Sequence, residues 1–164
     1  MKTAVIFYSL SGNTAYIAEI LKDRLDADLI RIRPKKEYPD KGLKKFYLGG
    51  KDAVRSEEPE LEPCGFDPDR YDLIILGTPV WAGTFAPPLR TFLNRERNSL
   101  QKKKIAAYCC CSGSGGEKAL TRMERFLESD PFMERMVLID PKEKRSEVNS
   151  HTIDDFCANI QKEH

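Results

Sequence analysis

Apolar residues along the chain fall into two alternating patterns. Short apolar runs occur at 4–8 (Ala4-Val5-Ile6-Phe7-Tyr8), 29–32 (interrupted by Arg31), 73–76 and 105–110, with a weaker run at 136–139. Runs of this length and β-branched content read as strands buried on both faces. Between them, apolar residues recur at helical spacing. Ile17, Ile20 and Leu21 do so within 16–25, and Leu89, Phe92 and Leu93 within 88–94. Leu120, Met123, Phe126 and Leu127 do so within 117–127, and Ile153, Phe156 and Ile160 within 152–161. Pro87-Pro88 marks the start of the second helix, and Thr152 with Asp155 reads as a capping box opening the last. Strand and helix alternate five times, which predicts an α/β fold with a parallel sheet and helices on both faces. Such sheets bind ligands beyond the carboxyl ends of their strands, where strand order reverses. The loops after the first, third and fourth predicted strands are therefore the ones to examine.

The stretch 35–70 breaks this rhythm. It is long, highly charged and punctuated by Pro39, Pro59, Pro63 and Pro68 just after Pro34. Within it, 43–54 has a modest helical pattern broken by Gly49-Gly50. An unstructured loop of that length is unusual in a compact domain. It reads as a short helix with extended flanks, serving either as a surface crossover or as a lid whose Phe46 and Tyr47 cover a ligand.

Composition narrows the function. The 164 residues suit one domain spanning 1–164, with enough chain to bury a full core. A net charge of +1, with basic residues dispersed, gives no field that would draw in nucleic acid or a membrane surface. Nothing reads as a leader or as a span crossing a bilayer, so the expectation is a cytoplasmic protein. The five cysteines are an odd number, and Cys109, Cys110 and Cys111 are adjacent, unlike a secreted disulfide framework. There is no Cys-x-x-Cys pair and only two histidines, His151 and His164, so no metal site is expected. On a strand, Cys109 and Cys111 face one way and Cys110 the other. Cys109 and Cys110 read as small apolar core residues, while Cys111 opens the following loop and is expected to be more exposed.

Three loops carry the candidate chemistry. The first is Ser9-Leu10-Ser11-Gly12-Asn13-Thr14, between a strand and a helix. A helix start presents unpaired N–H groups and a partial positive charge, and so suits a phosphate. Gly12 permits a left-handed turn on which the hydroxyls of Ser9, Ser11 and Thr14 converge. The loop holds no lysine or arginine, so neutral hydrogen bonds and the helix end would do the holding. The second is Gly77-Thr78-Pro79-Val80-Trp81-Ala82-Gly83-Thr84, which contains the single tryptophan. An indole in a stiffened loop at a ligand edge suggests a stacking platform; the alternative is that Trp81 packs under its own loop. The third is Cys111-Ser112-Gly113-Ser114-Gly115-Gly116, with small side chains and accessible amides for the edge of a flat ligand. It is not a dinucleotide fingerprint, because Lys118 stands at the last glycine position.

A phosphate, a ring system and polar ring edges are the parts of a flavin mononucleotide, and here the chain resembles the flavodoxin family. Ser9, Ser11, Gly12 and Thr14 match its phosphate loop, Gly77-Thr78-Pro79 with Trp81 its second flavin loop, and 112–116 its variable third loop. The resemblance implies a three-layer sandwich with a five-stranded parallel sheet of order 2-1-3-4-5. It also implies FMN bound non-covalently at the carboxyl edge. Ser9, Ser11, Gly12, Asn13 and Thr14 would hold the phosphate. Thr78, Pro79, Val80, Trp81, Ala82 and Gly83 would line the ribityl chain and ring, with Gly83 free to permit a peptide flip. Cys111, Ser112, Gly113 and Gly115 would meet the pyrimidine edge. The family carries electrons between redox partner proteins, as monomers or dimers. This chain lacks the acidity of typical electron carriers, and its third loop lacks the usual aromatic residue, for which Phe46, Tyr47 or Phe85 would have to substitute.

Two other functions share this sequence evidence: an FMN-dependent reductase using NAD(P)H and a small quinone-like acceptor, and a flavin-free binding domain. A cysteine phosphatase is excluded by the absence of Cys and Arg from the first loop. A receiver domain is excluded because Tyr8, Ser9 and Gly77 stand where clustered aspartates would be needed. The segment 112–115 comes near a nucleophile elbow but lacks its spacing.

Overall fold

The computed structural model describes residues 1–38 and 57–163. The chain opens with strand β1 (Thr3–Phe7), helix α1 (Asn13–Leu25) and strand β2 (Asp28–Arg31). After a short 3-10 turn at Pro68–Arg70 come β3 (Leu73–Trp81), β4 (Thr84–Phe85) and helix α2 (Pro87–Leu100). Strand β5 (Lys104–Cys111), helix α3 (Gly116–Leu127), strand β6 (Glu134–Ile139) and helix α4 (Glu147–Lys162) complete it.

The strands run in the order β2-β1-β3-β5-β6, all parallel, with β4 folded back antiparallel on the end of β3. Without that short hairpin arm, this is the expected 2-1-3-4-5 order. Burial on both faces explains the unbroken apolar runs. Ala4, Ile6, Tyr8, Ile74, Leu76, Ile105, Ala107 and Cys109 face one core, shared with Leu89, Phe92, Leu93, Leu120 and Met123 of α2 and α3. Val5, Phe7, Leu73, Ile75, Ala106, Tyr108 and Cys110 face the other, shared with Ile17, Leu21, Ile153, Phe156 and Ile160 of α1 and α4. Helices thus cover both faces in three layers.

Three boundaries differ most from the sequence reading. Strand β3 continues through Thr78 and Pro79, paired with Cys109 and Cys110, to Trp81. Its pairing with β1 ends at Phe7 and Gly77, so Pro79 lies where β3 has an open side, which tolerates a residue without an N–H. Helix α2 runs on past Asn94 to Leu100, whose side chain is fully buried. Helix α4 starts five residues before Thr152, at Glu147: Ser146 is the N-cap, its Oγ accepting from the Asn149 amide at 3.1 Å. Thr152 is interior and its hydroxyl donates to the Val148 carbonyl, so the Thr152–Asp155 capping box does not form.

The flanks of the long crossover are extended. Residues 33–35 and 60–62 pair through Lys35 N–H to Glu60 O and Glu62 N–H to Arg33 O, both 2.8 Å. The chain then lies along α2, where Thr91 donates to Pro59 O and Phe66 packs edge-on against Phe92. The helical pattern at 43–54, with Phe46 and Tyr47, lies outside the described residues.

Candidate ligand-binding site

The three loops leave the same sheet edge because the strands that deliver them are adjacent and in register: Phe7 pairs with Gly77, and Gly77 with Tyr108. Gly12 caps α1 at φ 102°, a backbone state that only glycine adopts without strain. Gly12 has no side chain to cap this helix, so the Asn13 and Thr14 amides are left for another acceptor. Ser9 is buried, and its Oγ accepts from the Ala15 amide at 3.2 Å, drawing the loop closed. Ser11 is exposed. Thr14 is 1% exposed, so its side chain lies beneath the loop and supports it from there. The buried Tyr108 hydroxyl adds a second support, donating to Thr14 O at 2.9 Å.

The second loop is a hairpin. Trp81 pairs with Thr84, leaving a two-residue turn, Ala82-Gly83, with φ of 50° and 70°. Positive φ at both positions is the type I′ geometry that matches strand twist, and an alanine there is unusual. The Thr78 hydroxyl is consumed internally: it donates to Pro79 O at 2.8 Å and accepts from the Ala86 amide at 3.0 Å, tying β3 to the start of α2. Trp81 is 3% exposed, with its ring edge-on to Tyr8 and Tyr38 at 5.6 and 5.2 Å. Its indole therefore buttresses the hairpin from within the core rather than standing open as a platform. Phe85 is buried as well. Burial, with Glu57 adding to it, pushes the Tyr38 phenol up to about 12, so Tyr38 stays neutral beside Trp81.

The third loop is the open one. Ser112, Gly113 and Ser114 are exposed, and a Cβ on Gly113 would meet nothing within 4 Å. Gly115 caps α3 and approaches the hairpin: a Cβ there would stand 3.5 Å from Gly83 Cα. Val80, Ala82, Gly83 and Gly115 thus share one partly exposed rim. Cys111 is 8% exposed, more buried than expected, and its carbonyl accepts from the Asp140 amide at 3.0 Å. Burial pushes the Cys109 and Cys110 thiols far above the ordinary thiol range, which makes them unreactive at neutral pH.

Reading the loops one at a time missed the cations that surround them. Arg31, on the neighbouring strand, donates from Nη2 to Ser9 O at 3.2 Å. The backbone amide of Lys142 donates to Asn13 Oδ1 at 2.9 Å, turning that side chain toward the β6–α4 turn. At the hairpin, Arg122 Nη1 donates to Gly83 O at 2.8 Å. No local signal marks these contacts, which span up to 129 positions in sequence. Among the described residues there is no group of three or more His, Cys, Asp and Glu side chains arranged to hold a metal, and no helix is long and apolar enough to cross a membrane.

A sequence profile of the family described as Flavodoxin matches residues 2–151. The chain belongs to the flavodoxin family. Solved structures agree with this flavodoxin architecture. A flavoprotein from Lactobacillus acidophilus NCFM, crystallised in complex with FMN, is 25% identical with a TM-score of 0.71, over 87% of this chain and 95% of that one. A putative flavoprotein from Bacteroides uniformis is 18% identical at a TM-score of 0.75, over 93% and 96% of the two chains. Oxidised flavodoxin 2 from Bacillus cereus shares the fold at 19% identity and a TM-score of 0.63, over the full length of both. No functionally curated protein gives a significant match.

Proposed function

We propose that this protein, acting as one domain over 1–164, binds FMN non-covalently across the three loops. We further propose that it works as a cytoplasmic redox protein, exchanging electrons with a partner protein or a small quinone-like acceptor. The observation that carries the reading is the shared sheet edge, where a glycine-capped helix start, a positive-φ hairpin and an open glycine loop lie side by side. The donor set fits the cofactor. The amides opening α1 with the Ser11 hydroxyl suit a phosphate. The space over Gly113 suits a flat ring edge approaching backbone.

The assignments within the site follow from where each loop lies on that edge. Ser9 and Gly12 shape the phosphate loop, Ser11 offers its exposed hydroxyl, and Asn13 and Thr14 contribute their backbone amides. Thr78 and Pro79 fix the hairpin base, and Val80, Ala82 and Gly83 present backbone to the ring. Trp81 contributes its main chain, its indole serving the core. Cys111, Ser112, Gly113 and Gly115 offer amides to the pyrimidine edge. FMN, when bound, supplies the one- and two-electron chemistry; the protein binds, orients and shields it.

The test is a titration of purified, flavin-free protein with FMN, followed by flavin fluorescence and visible absorbance. The expected result is saturable quenching at one FMN per chain, with a Kd below about 10 µM, near 7 kcal/mol of binding free energy. Absence of saturable binding would overturn the proposal. Mixing the loaded protein with NADH or NADPH then separates a carrier from a nicotinamide-dependent reductase, since rapid bleaching belongs only to the latter.

A further inference from the structure

We propose that Lys142 is the ionic partner of the FMN phosphate, delivered to it by a pinned turn between β6 and α4. This rests on the FMN reading above. The first loop carries no cation of its own, and Lys142 is 129 positions from its anchor on Asn13.

The turn that carries Lys142 is held at every end. Asp140 adopts φ 41° and its amide donates to Cys111 O at 3.0 Å, tying the turn to the end of β5. The Lys144 amide donates to Asp140 O at 2.7 Å, and the Lys144 ammonium pairs with the Asp140 carboxylate at 3.0 Å. Asn149, 9% exposed, donates from Nδ2 to both Ile139 O (3.0 Å) and Lys144 O (3.2 Å), closing the turn from below. The Lys142 amide then docks on Asn13 Oδ1 at 2.9 Å, at the first residue of α1. From there the side chain lies over Gly12. Its Nζ is 3.0 Å, its Cδ 3.6 Å and its Cε 3.9 Å from the position a Cβ at Gly12 would take.

The energetics point to a ligand. The start of a helix carries partial positive charge, so a cation there is unfavourable unless an anion accompanies it. Among the described residues, no carboxylate stands within 4.0 Å of Lys142 Nζ, whereas Lys144, two residues on, has Asp140. Arg31 on Ser9 O adds to the same positive field. A dianionic phosphate over Gly12 relieves this repulsion and gains a charge-assisted hydrogen bond. The cation thus costs the free protein stability and returns it in ligand affinity. A lysine with a purely structural role shows no such exchange.

The test compares FMN with riboflavin, which has the same ring system and no phosphate. Wild type, Lys142→Gln and Lys142→Arg are titrated with each flavin at low and high salt, and the melting temperature of each flavin-free protein is recorded. Lys142→Gln should weaken FMN about 5- to 20-fold at low salt, as expected for a partly exposed ammonium–phosphate contact. Riboflavin affinity should change less than about 1.5-fold, the FMN deficit should shrink at high salt, and Lys142→Arg should retain most of the affinity. The flavin-free Lys142→Gln protein should melt no lower than wild type. The inference is overturned if Lys142→Gln leaves FMN affinity unchanged, or weakens both flavins equally. Wild type that binds neither flavin would instead sink the FMN reading on which the inference rests.

Discussion

Gly77 lies in the middle of β3 and directly beside Tyr108, and replacing it with alanine puts the packing of the sheet edge to a quantitative test. A Cβ at Gly77 would stand 2.3 Å from Tyr108 Cζ, 2.4 Å from its hydroxyl oxygen and 2.5 Å from Cε1. Ordinary carbon–carbon contact begins near 3.5 Å, so the ring must retreat by about 1 Å. Tyr108 is fully buried and its hydroxyl donates to Thr14 O at 2.9 Å, so retreat both overpacks the α1 side of the sheet and pulls that hydroxyl off its acceptor. Burial raises the Tyr108 pKa well above 10, so the group is a neutral donor at every working pH and cannot recover by ionising. Overpacking costs about 1–3 kcal/mol and a buried hydroxyl without its acceptor another 1–3, which gives a loss of about 2–4 kcal/mol for Gly77→Ala after partial relaxation. At about 2–4 °C per kcal/mol for a chain of this size, the melting temperature should fall by about 5–15 °C. Because Tyr108 props up Thr14, FMN affinity should fall with it. The assay is thermal and urea unfolding of Gly77→Ala, Tyr108→Leu and the double variant. The cycle should show a favourable coupling of about 1–2 kcal/mol, because the smaller side chain removes the clash. A Gly77→Ala protein that melts within about 1 °C of wild type, or a penalty just as large in the Tyr108→Leu background, would mean that Gly77 and Tyr108 are not in this tight contact.

Two further predictions concern the thiols and the acid limb of stability. With a disulfide reagent at pH near 8, native protein should show one readily labelled thiol, the half-buried Cys64, while Cys109, Cys110, Cys111 and Cys157 react only on unfolding. Mass mapping of early labelling at Cys109 or Cys110 would contradict the burial that holds those thiols protonated. Glu124 is pushed up by burial, but the hydrogen bonds from Arg135 (2.7 Å) and the Phe132 amide (2.8 Å) outweigh it, so its pKa lies below the ordinary 4.5. Its contribution is therefore fully present above pH 4.5 and is lost as pH falls through the lower, folded-state value. Glu124→Gln should cost about 1–2 kcal/mol at pH 7 and almost nothing near pH 2 in urea unfolding; an equal penalty at both would disprove the pairing.

Much of this architecture is legible in the sequence, for identifiable reasons. Strands β1 and β5 announce themselves because both faces are buried, which demands an unbroken apolar run. The end of β3 is harder to see, because Gly77, Thr78 and Pro79 read as a loop although they continue to pair with Tyr108, Cys109 and Cys110. Thr78 looks like a ligand hydroxyl and is instead spent on Pro79 O and the Ala86 amide. Trp81 looks like a platform, but its burial follows from partners, Tyr8 and Tyr38, that only the fold brings near. Ser146 is not evident as the α4 cap because a largely polar stretch, Glu147-Val148-Asn149-Ser150-His151-Thr152, separates it from the apolar periodicity that begins at Ile153. The cations at the first loop escape local reading altogether. Arg31 arrives through strand pairing and Lys142 through a turn after β6. A loop that is neutral in sequence is therefore not neutral in space.

A backbone amide chemical-shift map of the protein titrated with FMN locates the bound flavin residue by residue. The largest shifts should fall at 9–14, 78–83 and 111–116, with a smaller set at the Lys142 turn, and little change along β2 or the outer faces of α2 and α4. Saturable binding whose shifts cluster elsewhere, or no shifts at those three loops, would contradict FMN binding across them.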